Sequence, residues 1–126
     1  MAPHLSIDEI LHLSRGLRYR LLVSEVKNSQ TLWLLNRQGE LLVVEDEKGT
    51  EGIPLWPREE IAALFATGLW EGCTTMSVSL EKFQRDMVAP LQSAALILVV
   101  FPTEEDSGLS ISPAQFSKDV EQLGEF

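Results

Sequence analysis

The stretch from Ala94 to Phe101 constrains the fold more than any other, because it runs apolar for its whole length. Successive side chains of a strand point to opposite faces, so a half-buried strand alternates and a strand covered on both faces does not. Residues 95–101 therefore predict a central strand. The run is far below the ~20 apolar residues needed to cross a bilayer. A strand covered on both faces needs neighbours and a helical layer, and the flanking sequence supplies them. Thr103 to Gly108 reads as a turn, and Leu109 and Ile111 alternate with serines as the strand that pairs back. Ser112-Pro113-Ala114-Gln115 matches a capping pattern with proline at the first helical position, and Phe116, Val120 and Leu123 then share one helical face.

The N-terminal half follows the same logic. Ser6-Ile7-Asp8-Glu9 fits a capping box, with Ile7, Ile10 and Leu11 on one helical face. A second helix starts after Ser14 with the stripe Tyr19, Leu22, Val23 and Val26, and Gly16 predicts a break or bend near its start. Thr31–Leu35 and Glu40–Glu45 read as strands joined through Asn36-Arg37-Gln38-Gly39, a hairpin link. Glu45 to Gly52 is a polar turn. Ile53-Pro54-Leu55-Trp56-Pro57 reads as an edge strand or an extended lead-in, since each proline favours extended geometry before it and withholds a ladder donor.

Pro57 is expected at the first position of a helix, with Glu59 and Glu60 favoured by the helix dipole in its first turn. Ile61, Leu64 and Phe65 form its buried face, and Gly68 stops it. Thr75 to Ser79 alternates as a half-buried strand. Ser79 then caps a helix marked by Leu80, Phe83, Met87 and Leu91, which Pro90 limits or kinks. The order is α-α-β-β-(β)-α-β-α-β-β-α. Hairpins outnumber crossovers, so we expect one α+β domain over residues 1–126, built on a mainly antiparallel sheet of about four to six strands with helices packed on it.

Arg18-Tyr19, Thr31-Leu32-Trp33, Pro54-Leu55-Trp56-Pro57, Trp70, Phe101-Pro102 and Ser112-Pro113 occur in an order and spacing that span the chain from about Leu13 onward. In this series the chain resembles the bacterial family known as domain of unknown function 2750. Gly16 departs from the pattern, standing where polar, helix-favouring residues are expected. The resemblance implies a small bacterial cytoplasmic domain and carries no catalytic or ligand-binding residues with it.

Charge bounds the partners. The formal net charge is -9, a balance that repels phosphate backbones and anionic membrane surfaces, so neither nucleic acid nor membrane is expected. Arg15, Arg18 and Arg20 form a local basic cluster. Cys73 is the single cysteine, which excludes an internal disulfide. No basic stretch followed by an apolar run opens the chain, and the cytoplasm is the expected compartment.

The chemistry sought is mostly absent. His4 and His12 match no zinc spacing, and no phosphate-binding glycine run or nucleophile elbow occurs. Glu45-Asp46-Glu47 and Glu104-Glu105-Asp106 lack the alternating ligands of a calcium loop and read as solvated turns. No catalytic residue, metal or cofactor is expected. The candidate binding residues are Arg18, Tyr19, Trp33, Trp56 and Trp70. Trp56, between two prolines, either presents a stiff ring to a partner or fills the core with its N–H bonded to a carbonyl. Arg18 either stacks on Trp56 or Trp70, or forms a surface ion pair. The expected function is a non-catalytic interaction or regulatory domain with a protein partner or a second copy of itself. The alternative is a small-molecule site or unrecognised enzyme with a cleft near Trp33, Trp56, Arg18 and Tyr19.

Overall fold

A computed structural model describes residues 6–68, 70–103 and 106–122. His4, Glu104, Glu105 and Leu123, which the sequence reading used, lie outside the described residues. Short capping signals set the first helices. The Ser6 hydroxyl accepts from the Glu9 amide at 3.1 Å, and the Glu9 carboxylate accepts from the Ser6 amide at 3.1 Å, which caps α1 (Ile7–Leu11). Ser14 caps α2 (Arg15–Ser29) in the same way through the Leu17 amide. The expected break near the start of α2 falls between α1 and Ser14 rather than at Gly16 itself. Gly16 sits in the first turn of α2, where amides have no intrahelical partner to lose.

Residue 30 turns the chain into β1 (Thr31–Arg37), with Gln30 in the left-handed region. Gln38 and Gly39 both have positive φ, 53° and 86°, as a two-residue primed turn requires, and they return the chain as β2 (Glu40–Leu41). On the other side of β1 lies β5 (Thr74–Ser79), antiparallel and in register from Thr31↔Ser79 to Asn36↔Thr74. A second sheet has the order β3 (Val44–Glu45), β4 (Glu51–Leu55), β6 (Ile97–Val100), β7 (Leu109–Ile111), with only β4 and β6 parallel. The α+β class and the antiparallel majority stand. The strands divide into two sheets of three and four rather than forming one sheet.

Among the described residues the sheets meet at a single bridge: Trp33 and Trp56 exchange backbone hydrogen bonds of 3.2 and 2.9 Å. That bridge explains why β4 is not the edge strand expected from its proline. Trp56 N–H points to β1, and Leu55 C=O accepts from the Phe101 amide on the β6 side. By alternation Pro54 faces the side away from β6, beyond the end of β3, where no ladder donor is called for. Gly52 lets β4 approach β6 closely, since a Cβ there would lie 2.8 Å from the Ile97 carbonyl oxygen.

The apolar run is the central strand expected, with β4 on one side and β7 on the other, and Leu98, Val99 and Val100 fully buried. It is shorter than expected. Ala95 and Phe101 both turn left-handed, φ 58° and 52°, and cut the strand to four residues.

The helices then cover the sheets. α3 (Glu59–Thr67) packs on β1 and β5, burying Ile61, Ala62, Phe65 and Ala66, while Leu64 is exposed rather than buried. It begins two residues after Pro57, because the Trp56 bridge holds the chain extended to that point. Ser79 caps α4 (Leu80–Lys82), which continues through a π turn (Phe83–Met87) into α5 (Val88–Ser93). Pro90 donates nothing to the Asp86 carbonyl and crowds it, and the wider turn just upstream absorbs that mismatch; Val88 N–H bonds five residues back to Phe83. α6 (Pro113–Gln122) is capped by Ser112 through the Gln115 amide at 3.1 Å, while the Gln115 side chain turns instead to Asp119.

Candidate functional site

Two polar regions stand out, and they differ in what they leave unsatisfied. The first is built around Arg18 on the first turns of α2, its side chain only 4% exposed. Nε donates to the Phe101 carbonyl at 3.2 Å, Nη1 to the Leu13 carbonyl at 2.6 Å, and Nη2 to Asp106. The guanidinium carbon stands 5.9 Å from the centre of the Phe101 ring. Asp106 also accepts from Arg15 Nε at 3.1 Å and from Arg15 Nη2, and Arg15 Nη1 reaches Glu47 at 2.8 Å.

These bonds hold the Asp106 carboxyl down at about 2, the Arg15 hydrogen bond contributing most and burial opposing it. So weak a base takes no proton at neutral pH, and each Arg18 nitrogen has an acceptor. The trio is a clamp. It fixes the left-handed turn at Phe101, which the Trp56 indole N–H secures from the other side by donating to the Pro102 carbonyl at 3.1 Å. Asp106, read from the sequence as a solvated turn residue, is instead this clamp's anion. Asp46, from the other acidic run, does order its turn, accepting from the Lys48 and Thr50 amides at 2.8 Å each.

The second region is an open groove of about 580 Å³ between the last turns of α2, Trp33 of β1 and the start of α3. Trp33 is half-buried. Glu25, Glu59 and Glu60 line the groove with a single guanidinium, that of Arg58. Arg58 Nε donates to Glu25 Oε1 at 2.6 Å, and Glu25 Oε2 is buried without a hydrogen-bond partner among the described residues. Glu59 Oε2 accepts from the Thr75 hydroxyl at 3.2 Å, which fixes one carboxylate over the sheet.

The structure does not bring the five sequence candidates into one cleft. Trp33 alone of them lines the groove. Trp56 is fully buried, its ring stacked on Phe65 at 5.4 Å and tilted against Trp70 at 5.7 Å, so it presents nothing to a partner. Trp70 is half-buried over that pair. Arg18 meets Trp56 only through the Phe101–Pro102 backbone that both hold, and stacks on Phe101 rather than on an indole.

Tyr19 lies against α6, its hydroxyl donating to Asp119 and its ring edge-on to Phe116. Burial, and then that carboxylate, raise its hydroxyl well above the usual phenol range. Cys73 is buried and free. No three His, Cys, Asp or Glu side chains converge as a metal site among the described residues. No helix among them is long and apolar enough to cross a membrane.

Sequence reasoning missed Glu25, Arg58 and Asp106. Each meets its partner across 33 to 91 residues, and no periodicity records such a pairing.

A family model described as a protein of unknown function (DUF2750) matches residues 19–120. No match is found among curated proteins or among solved structures. The match runs from Tyr19 in α2 to the last turns of α6, including the bridge and Asp106 but not Arg15 or Arg18 of the clamp, and the chain belongs to the DUF2750 family, whose function is unknown.

Proposed function

We propose that the chain is a small, non-catalytic interaction domain of the bacterial cytoplasm, and that it takes a basic side chain of a protein partner in the groove beside Trp33. The observation that carries this reading is the make-up of the groove: a half-buried indole among three carboxylates, with the single guanidinium already paired to Glu25. A cation over an indole gains about 0.5–2 kcal/mol, and flanking carboxylates add to that attraction while rejecting acidic groups. The polar groups elsewhere with the strangest environments, Asp106 and Tyr19, are tied into the fold and support no catalytic role.

Titration with hexalysine, followed by the Trp33 indole N–H resonance and by intrinsic fluorescence, tests the reading. We expect saturable shifts at Trp33, none with hexaglutamate, and loss of the shifts in the Glu59→Lys/Glu60→Lys double variant with its fold intact by circular dichroism. An unmoved Trp33 resonance, or an unchanged response in the double variant, would overturn it. Sedimentation should show a monomer at micromolar concentration; a dimer that buries Trp33 would replace the foreign partner with a second copy.

A further inference from the structure

Sheet edges are the other open surfaces of this fold, and they are unequal. β2 and β3 are two residues long and β7 three, lengths too short to template another strand. β5 is six residues long, Thr-Thr-Met-Ser-Val-Ser, and pairs on one side only among the described residues. It carries neither a charged residue nor a proline, the devices by which proteins blunt an edge.

Its free positions follow from the ladder. Trp33 spends both its backbone groups on Trp56, so the Trp33↔Ser77 pair is not hydrogen-bonded. Val78, Met76 and Thr74 therefore bond to β1, and the N–H and C=O groups of Thr75 and Ser77 point outward.

The edge and the groove belong together. Ser77 is the direct cross-strand neighbour of Trp33, so their side chains leave the same face of the sheet. Glu59 is held on that face by Thr75. A residue paired with Ser77 on an added strand would stand roughly 10 Å from Trp33, two strand spacings away. An indole and a long basic side chain close that gap from its two sides, over the exposed and small Ser77.

We infer that β5 is a β-augmentation edge that takes an extended, basic segment of a partner protein as an antiparallel strand, with a lysine or arginine opposite Ser77 reaching over it to Trp33 and Glu59. This deepens the reading of the groove given above and rests on it. A second copy of the chain fits less well. Pairing β5 with β5 about Ser77 sets serine against serine, leaves the groove empty, and brings together two chains that each carry a net charge of -9.

The test uses the full chain and the blocked peptide acetyl-Thr-Val-Lys-Val-Thr-amide, with affinity read by amide chemical-shift titration. Its lysine exchanges two backbone bonds with Ser77, whereas the valine amides point away. We expect saturable binding with the largest shifts at Thr75, Ser77 and Trp33. Backbone N-methylation of the lysine should weaken binding at least tenfold, and N-methylation of a valine should change it less than threefold. Replacing the lysine by glutamate should cost at least tenfold.

Ser77→Pro removes an outward donor without taking one from the β1 ladder, and should weaken the peptide as lysine N-methylation does while the β1 amides keep their shifts. Lysine-dependent binding that ignores N-methylation and Ser77→Pro would overturn the strand pairing and leave the groove reading intact. N-methyl-sensitive binding that ignores both lysine-to-glutamate replacement and Glu59→Lys would overturn the groove reading and the basic occupant with it. No binding at millimolar peptide, or a dimer through β5 that the peptide displaces, would overturn the inference.

Discussion

The Arg18 clamp and the Trp33 groove are both polar regions beside a tryptophan, and they are built to opposite ends. In the clamp every guanidinium nitrogen has an acceptor: Arg18 makes three hydrogen bonds, Arg15 makes three, and Asp106 receives from both. In the groove a carboxylate oxygen of Glu25 has no partner among the described residues, the ring of Trp33 is half-exposed, and the neighbouring edge strand directs backbone groups outward. A buried charge is tolerated when it is fully paired and hydrogen-bonded, so the clamp can hold a left-handed Phe101 in place. The outward backbone groups of β5 and the half-exposed Trp33 ring do the reverse, leaving interaction capacity for a partner. Chemical conspicuousness in the sequence therefore does not separate structure from function; saturation of the partners does.

Substitution should break the comparison most visibly at Arg18. Arg18→Ala leaves the Phe101 and Leu13 carbonyls and part of Asp106 unpaired, and we expect a loss of roughly 3–5 kcal/mol in urea unfolding. Arg58→Ala, in a partly exposed pair, should cost about 1 kcal/mol or less. Equal losses at the two sites would erase the distinction. Next comes Trp56→Phe, which keeps the ring stack on Phe65 but orphans the Pro102 carbonyl, for about 1–3 kcal/mol. The same change at Trp33 removes no such bond and should cost less.

A pH titration sharpens the comparison further. Asp106 titrates near 2 in the fold against an ordinary 3.8. Because the folded value is the lower one, its stabilisation is complete above pH ~4 and is lost as pH falls towards 2. With its side chain a quarter exposed, we expect that loss to be about 1–2 kcal/mol. Asp106→Asn should flatten this limb of the stability curve. Smallest of all, Glu59→Lys should change stability by less than about 0.5 kcal/mol, while abolishing the groove's preference for basic groups.

Much of the fold was legible because local rules and packing agree. Ser6, Ser14, Ser79 and Ser112 all cap the helices that their positions announce. The unbroken apolar run near Leu98 is the central strand, and the serine alternation around Leu109 and Ile111 is its antiparallel partner. What local rules missed depends on pairing across the chain. Pro54 reads as an edge residue, yet sits inside a sheet because the Trp33–Trp56 bridge begins where β3 ends. The parallel pairing of β4 with β6 leaves no mark on either strand. Pro90 announces a disturbance, but not that a π turn relieves it.

The site was less legible for the same reason. Trp33 and Trp56 look alike in sequence, and only the fold sends one into the core and leaves the other at the surface. Asp106 reads as one more acid in a polar turn until Arg15 and Arg18 are brought to it.

Amide hydrogen exchange along β5 tests the contrast between a saturated and an open region most directly. In the free protein we expect the Thr75 and Ser77 amides to exchange at close to unprotected rates. Met76 and Val78 on the same strand, and Trp56 and Phe101 beside the clamp, should be protected by several orders of magnitude. Protection of Thr75 and Ser77 equal to that of Met76 and Val78 would mean that the outer side of β5 is already paired, and would contradict the open edge on which the proposed partner site stands.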